Sequence, residues 1–168
     1  MYVANAGASS TGTVSVIDSD NCNATNHTGC AHVCTLKVPG GHPDDIAVNP
    51  ATDTIYVATT TASGPNLVSV FKGATCEATN TTGCQQKPAA LQFGDSGGGQ
   101  SDSALNLALD TATNTIYATN VVYNAEPFSG NSVYVTNGAI YDAVHTTGCG
   151  QTPATITIAS NPPIGSNP

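Results

Sequence analysis

A chain of 168 residues has room for one domain or for a piece of a larger one. Eleven acidic residues stand against three lysines and no arginine, a formal charge of −8, which argues against a phosphate backbone or an anionic membrane surface as partner because both need clustered cations. Ile, Leu, Val and Phe make up only about 18% of the chain, yet just 8% of its residues are charged, so the composition is that of a thin-cored β protein rather than a charged disordered one.

In chain order, strands are predicted at 2–5, 13–17 and 35–38, then at 46–49, 54–59, 67–72 and 89–93, then at 107–110, 115–120, 132–136 and 154–159. Val68/Val70, Val133/Val135 and Ile156/Ile158 alternate with polar or small residues, the period of two that a strand requires. Turn clusters such as Asn49-Pro50 and residues 110–114 separate the strands. β-Branched residues, 17 glycines and 10 prolines leave no convincing helical window. No apolar run approaches the 18 or more residues of a membrane span. Met1-Tyr2-Val3-Ala4-Asn5 has neither the basic start nor the hydrophobic stretch of a signal peptide.

Internal repetition organises the chain. Cys22-Asn23-Ala24-Thr25-Asn26-His27-Thr28-Gly29-Cys30 returns 54 residues later as Cys76-Glu77-Ala78-Thr79-Asn80-Thr81-Thr82-Gly83-Cys84. It returns again 65 residues on as Tyr141-Asp142-Ala143-Val144-His145-Thr146-Thr147-Gly148-Cys149. Asn49-Pro50-Ala51-Thr52-Asp53-Thr54-Ile55-Tyr56 likewise recurs at 110–117, and Tyr2-Val3-Ala4 matches Tyr56-Val57-Ala58. Three units follow: 1–45, an incomplete first unit with strands b, c and d and a connector; 46–104; and 105–168, which ends in a further connector. Four antiparallel strands repeated at this scale are propeller blades. The expected fold is all-β, a partial β-propeller of about three blades whose first lacks its inner strand a. Because propellers close with about four to eight blades, the chain is expected to be a fragment of a longer propeller or to close with another copy of itself. Its open ends are expected to expose Val14/Val16 on one side and Ile156/Ile158 on the other.

Tyr56-Val57-Ala58, Asn66-Leu67-Val68-Ser69-Val70, Asn131-Ser132-Val133-Tyr134-Val135-Thr136-Asn137 and Ile46-Ala47-Val48-Asn49-Pro50 resemble the YVTN-type β-propeller repeat. The resemblance implies a secreted or surface-associated bacterial or archaeal protein, related to seven-bladed lactonase-like propellers. The chain departs from that repeat in its cysteine-closed insertion between strands c and d.

The two cysteine pairs of one spacing, Cys22/Cys30 and Cys76/Cys84, read as disulfides rather than metal ligands, since no histidine pattern accompanies them. Each would close a nine-residue hairpin loop, worth about 2.5 kcal/mol by loop entropy. Tyr141 replaces the first cysteine in the third unit, so Cys149 and Cys34 are left as free or intermolecular thiols. Disulfides imply an oxidising, extracellular location, and hence a leader missing from this sequence. Asn23, Asn26 and Asn80 fit glycosylation sequons, and in so Thr- and Asn-rich a chain they equally fit chance.

The segment 94–98 matches the nucleophile surroundings of chymotrypsin-like proteases around Ser96, but no histidine base and carboxylate can be assembled beside it, and a Gly/Ser loop is the better reading. His42, Asp44 and Asp45 occupy one blade connector, and Asp95 and Asp102 the next. Converging on a central channel, these side chains would form a ligand site, with a weakly held divalent cation such as calcium as the only cofactor-like group expected. Aspartates capping turns are the plainer and preferred reading. Tyr123, Glu126 and Phe128 form a candidate contact rim. The function expected is a non-catalytic secreted or cell-surface scaffold or binding module, partnered by the remaining blades of a parent propeller or by another copy. The alternative is a fragment of a lactonase-like hydrolase with an acidic cation site.

Overall fold

The computed structural model describes residues 1–7, 12–31, 33–61, 64–93, 102–103, 105–122 and 132–158, and of Val33, Asp102, Ser103, Val121 and Val122 the backbone alone. Twelve strands are present among them: β1 (Tyr2–Asn5), β2 (Gly12–Ile17), β3 (Val33–Val38), β4 (Gly41–Asn49), β5 (Thr54–Thr61), β6 (Asn66–Lys72), β7 (Ala89–Phe93), β8 (Asp102–Ser103), β9 (Leu107–Asp110), β10 (Thr115–Val122), β11 (Ser132–Asn137) and β12 (Ala154–Thr157). They form three antiparallel sheets, β1-β2-β3, β4-β5-β6-β7, and a third in which β10 lies between β11 and the pair β8 and β9, with β12 outside β11. This is a partial β-propeller: one three-stranded blade without an inner strand and two blades with all four.

One boundary differs from the sequence reading. β4 begins at Gly41, so the segment 41–45, expected as a connector, is strand: Gly41–Pro43 pair with Thr59–Thr61 before a bulge at Asp44 restores the register at Asp45↔Ala58. In blade 3 the same strand is split in two, with β8 opposite Val121 and Val122 and β9 opposite Thr115–Ala118. Turn chemistry hid the strand, because a His-Pro-Asp-Asp run reads as loop by composition.

Blade 2 is the centre of the stack. Residues 54–59 of β5 are buried on both faces. Ile55, Val57 and Phe71 meet Val14, Val16, Leu36 and Val38 of blade 1. Tyr56, Ala58, Val68, Val70, Leu91 and Phe93 meet Leu105, Ile116, Ala118 and Tyr141 of blade 3. Val14 and Val16, expected on the open side, therefore face inward, and the outward residues opposite them in the pleat are Thr13 and Ser15, tied by the Asn5 amide at 3.3 and 2.8 Å. Ile156 and Ile158 do lie on the open face of blade 3, 54% and 51% exposed.

The cysteine-type hairpins make the joints between blades. All three close with one backbone pattern: Asn23 N–H to Asn26 O, Glu77 N–H to Asn80 O, Asp142 N–H to His145 O. In each, the Thr-Gly-Cys glycine donates back across the loop, Gly29 to Asn21, Gly83 to Thr75 and Gly148 to Ile140. The strands are so close there that a Cβ on Gly83 would stand 2.1 Å from Thr75 Oγ1 and 3.0 Å from its carbonyl. The hairpins of blades 2 and 3 then press on the blade before them. Tyr2 OH donates to Cys76 O at 3.0 Å, and its equivalent Tyr56 OH donates to Tyr141 O at 3.0 Å. Tyr141 reaches further: its hydroxyl donates to Val68 O and accepts from Leu91 N–H at 2.8 Å, joining two residues that are register partners in blade 2.

Burial, reinforced by the nearby Asp142 carboxylate, pushes the Tyr56 phenol up to about 12, and burial likewise pushes Tyr141 up. The neutral phenol is the form the fold favours, so its contribution is complete below the ordinary value of 10.0 and is lost as pH rises through the folded value. Stability should therefore hold level to about pH 10 and then fall by up to about 1.4 kcal/mol per pH unit for each of the two phenols. Tyr56 and Tyr141 should titrate above the ordinary tyrosine value by absorbance at 295 nm, and Tyr56→Phe should remove one of those late steps. At neutral pH, Tyr141→Phe should cost about 1–3 kcal/mol in urea denaturation, because the Leu91 N–H loses its acceptor in a buried place.

Candidate functional site

The acidic candidates sit on the strand that the bulge distorts. His42 and Asp44 are exposed and Asp45 is half-buried. Asp44 is the residue the bulge extrudes, and its Oδ2 turns back to accept the Thr60 amide at 2.9 Å and the Thr60 hydroxyl at 2.5 Å. Asp45 points the other way: Oδ1 accepts the Ile46 amide at 2.8 Å, and Oδ2 accepts the Leu107 amide at 2.7 Å, from the first residue of β9. One carboxylate thus caps a bulge and the other bolts the inner strand of blade 2 to that of blade 3.

Asp95 lies outside the described residues, as do Ser96 and the rim residues Tyr123, Glu126 and Phe128. Asp102 is placed by its backbone, opposite Val122. By register it corresponds to Gly41 of blade 2, since Gly41 is opposite Thr61 and Thr61 corresponds to Val122. The same alignment puts Asn106 where blade 2 has Asp45, so the two connectors do not present matching carboxylates. Among the described residues, His42, Asp44 and Asp45 do not gather into a group that could hold a metal ion.

Other carboxylates are employed in the same way. Asp110 accepts Ala112 N–H and the Thr113 hydroxyl, and those hydrogen bonds, that of the hydroxyl first, hold its carboxyl below the usual range. Burial pushes the Asp142 carboxyl up, but hydrogen bonds from the His145 and Val144 amides and the His145 ring outweigh it and leave it lowered. The sequon asparagines behave alike: Asn23, Asn26 and Asn80 each accept the amide and the hydroxyl of the threonine two residues on. The Asn-x-Thr pattern is an Asx turn that shapes the hairpin.

The one group of three metal-ligating side chains that the described residues bring close enough to hold a metal ion was missed from the sequence. The Sγ atoms of Cys34, Cys76 and Cys84 lie within 4.8 Å of one another. Cys76 and Cys84 are disulfide-bonded, as are Cys22 and Cys30, while Cys34 and Cys149 are free thiols. Cys34 belongs to blade 1, and only the blade 1–blade 2 joint carries it to the bridge.

Against known proteins, no family model matches the chain, and neither a curated protein nor a solved structure matches it.

Asp45→Ala should lower stability by about 1–3 kcal/mol, since the Leu107 amide loses its acceptor. His42→Ala, at an exposed position, should change it by under about 0.5 kcal/mol. Urea denaturation of the oxidised protein measures both.

Proposed function

We propose that this chain is part of a secreted or cell-surface β-propeller of the YVTN kind, acting as a non-catalytic scaffold or binding module. Its partners are further blades of the same repeat, from a parent propeller or from another copy of the chain. The observation that carries this reading is the repeated joint. Tyr2 and Tyr56 each donate to the hairpin of the blade that follows. Tyr117, third in that series by its match to Tyr56, meets no acceptor among the described residues. It stands opposite Val135, on the face that Val133 and Ile156 continue. In blade 2 the matching face, built on Tyr56, Val70, Val68 and Leu91, is the one covered by the next blade.

The two disulfides support an oxidising compartment. A lactonase-like cation site would need carboxylates free to take a ligand, whereas Asp44 and Asp45 are engaged by backbone amides. Binding would instead fall to the loops that the blades hold out.

Sedimentation velocity tests the open face. The chain should self-associate with rising concentration, and Ile156→Lys with Ile158→Glu should return it to monomer. A wild-type chain that stays monomeric at high concentration overturns the blade-docking reading. Turnover of a lactone or ester by the purified protein overturns the non-catalytic one.

A further inference from the structure

The blade 1–blade 2 joint contains more sulfur than its architecture needs. Cys34 lies on β3 opposite Val16, on the face that packs against blade 2. There it meets the Cys76–Cys84 bridge, whose two cysteines are 0% and 1% exposed. Its own Sγ is within 4.8 Å of both bridge sulfurs. Neither hairpin disulfide requires it, since Cys22–Cys30 and Cys76–Cys84 are each complete. The arrangement belongs to this joint alone. At the next one, Ala89 holds the register position of Cys34, because Val70↔Ala89 repeats Val16↔Cys34, and Tyr141 replaces the first cysteine of the hairpin. The other free thiol, Cys149, belongs to the blade 3 hairpin and packs instead against the core between blades 2 and 3.

We propose that Cys34 exchanges with the Cys76–Cys84 disulfide, converting a bridge inside the blade 2 hairpin into a bridge between blades 1 and 2. The Cys34 thiol gives up its proton and its thiolate attacks one bridge sulfur. A new S–S bond forms to that sulfur as the Cys76–Cys84 bond breaks, and the bonding pair leaves on the other cysteine, which takes up a proton. One disulfide and one thiol are present before and after, so no oxidant or reductant is consumed. The product ties β3 of blade 1 to the hairpin that docks on it, closing a far longer loop of chain than the nine-residue hairpin does. Hairpin closure and blade docking thereby become alternative uses of one disulfide. Because the thiolate is the attacking species, the exchange accelerates with rising pH.

The test rests first on the oxidised wild-type chain. The protein is held at pH 8 for up to a day, quenched in acid, capped with N-ethylmaleimide under mildly acidic conditions, digested without reduction and mapped. The expected result is a Cys34–Cys84 or Cys34–Cys76 linked peptide, with maleimide on the cysteine released. Its share should grow from pH 6 to pH 8 and be independent of protein concentration. In Cys34→Ser, label on Cys76 and Cys84 should disappear while the hairpin bridge remains. The proposal is overturned if maleimide is found on Cys34 and Cys149 alone at every time and pH. It is equally overturned if Cys34 is recovered in bridges to Cys149 as often as to the hairpin, which signals scrambling through unfolded chains.

Discussion

A blade interface in a thin-cored protein faces a specific problem: the hairpin of one blade presents backbone carbonyls that must be buried against the blade before it. Here a tyrosine on strand b supplies the donor, Tyr2 for Cys76 and Tyr56 for Tyr141. The ring adds apolar surface to a core short of large aliphatic side chains, while the hydroxyl satisfies a carbonyl that would otherwise cost about 1–3 kcal/mol to bury. Blade spacing, hairpin placement and the approach of Cys34 to the Cys76–Cys84 bridge all follow from that contact.

The hairpins of blades 2 and 3 show two solutions to one packing requirement. In blade 2 the disulfide fills the space against blade 1, with Cys76 and Cys84 both in the core there. In blade 3 the first cysteine becomes Tyr141, and the volume of the lost bridge is taken by a ring whose hydroxyl enters the ladder of blade 2. The loop backbone does not change, because the Asx turns and the close-approach glycine hold it without the cross-link. What the disulfide adds is restriction of the unfolded chain, and what the tyrosine adds is hydrogen bonding in the folded one.

Several carboxylates among the described residues also have structural work. Asp44, Asp45, Asp110 and Asp142 all accept backbone amides, so these four carboxylates serve turns and a bulge. With only three lysines and no arginine available, ion pairs cannot carry this work, and amide donors take their place. The same economy explains the Thr- and Asn-rich loops, where short polar side chains satisfy the backbone locally.

Strand type, strand order and the hairpin disulfides were legible in the sequence, because period-two alternation and a fixed Cys spacing are local properties of the chain. Eleven of the twelve strands fall where alternation and turn residues put them; β8 and the early start of β4 did not, since a strand running through His42-Pro43-Asp44-Asp45 is held by a bulge and by carboxylate caps that composition reads as turn. Which face of a strand meets which neighbour is decided only in three dimensions. Val14 and Val16 are as apolar in a solvent-facing sheet as in a buried one, and the position of blade 2 alone turns them inward. Asp45 could be read as a ligand or as a cap until the Leu107 amide arrived from the next blade. The approach of Cys34 to Cys76 and Cys84 lies furthest from the sequence, for it joins residues of two blades through a packing contact that no local pattern encodes.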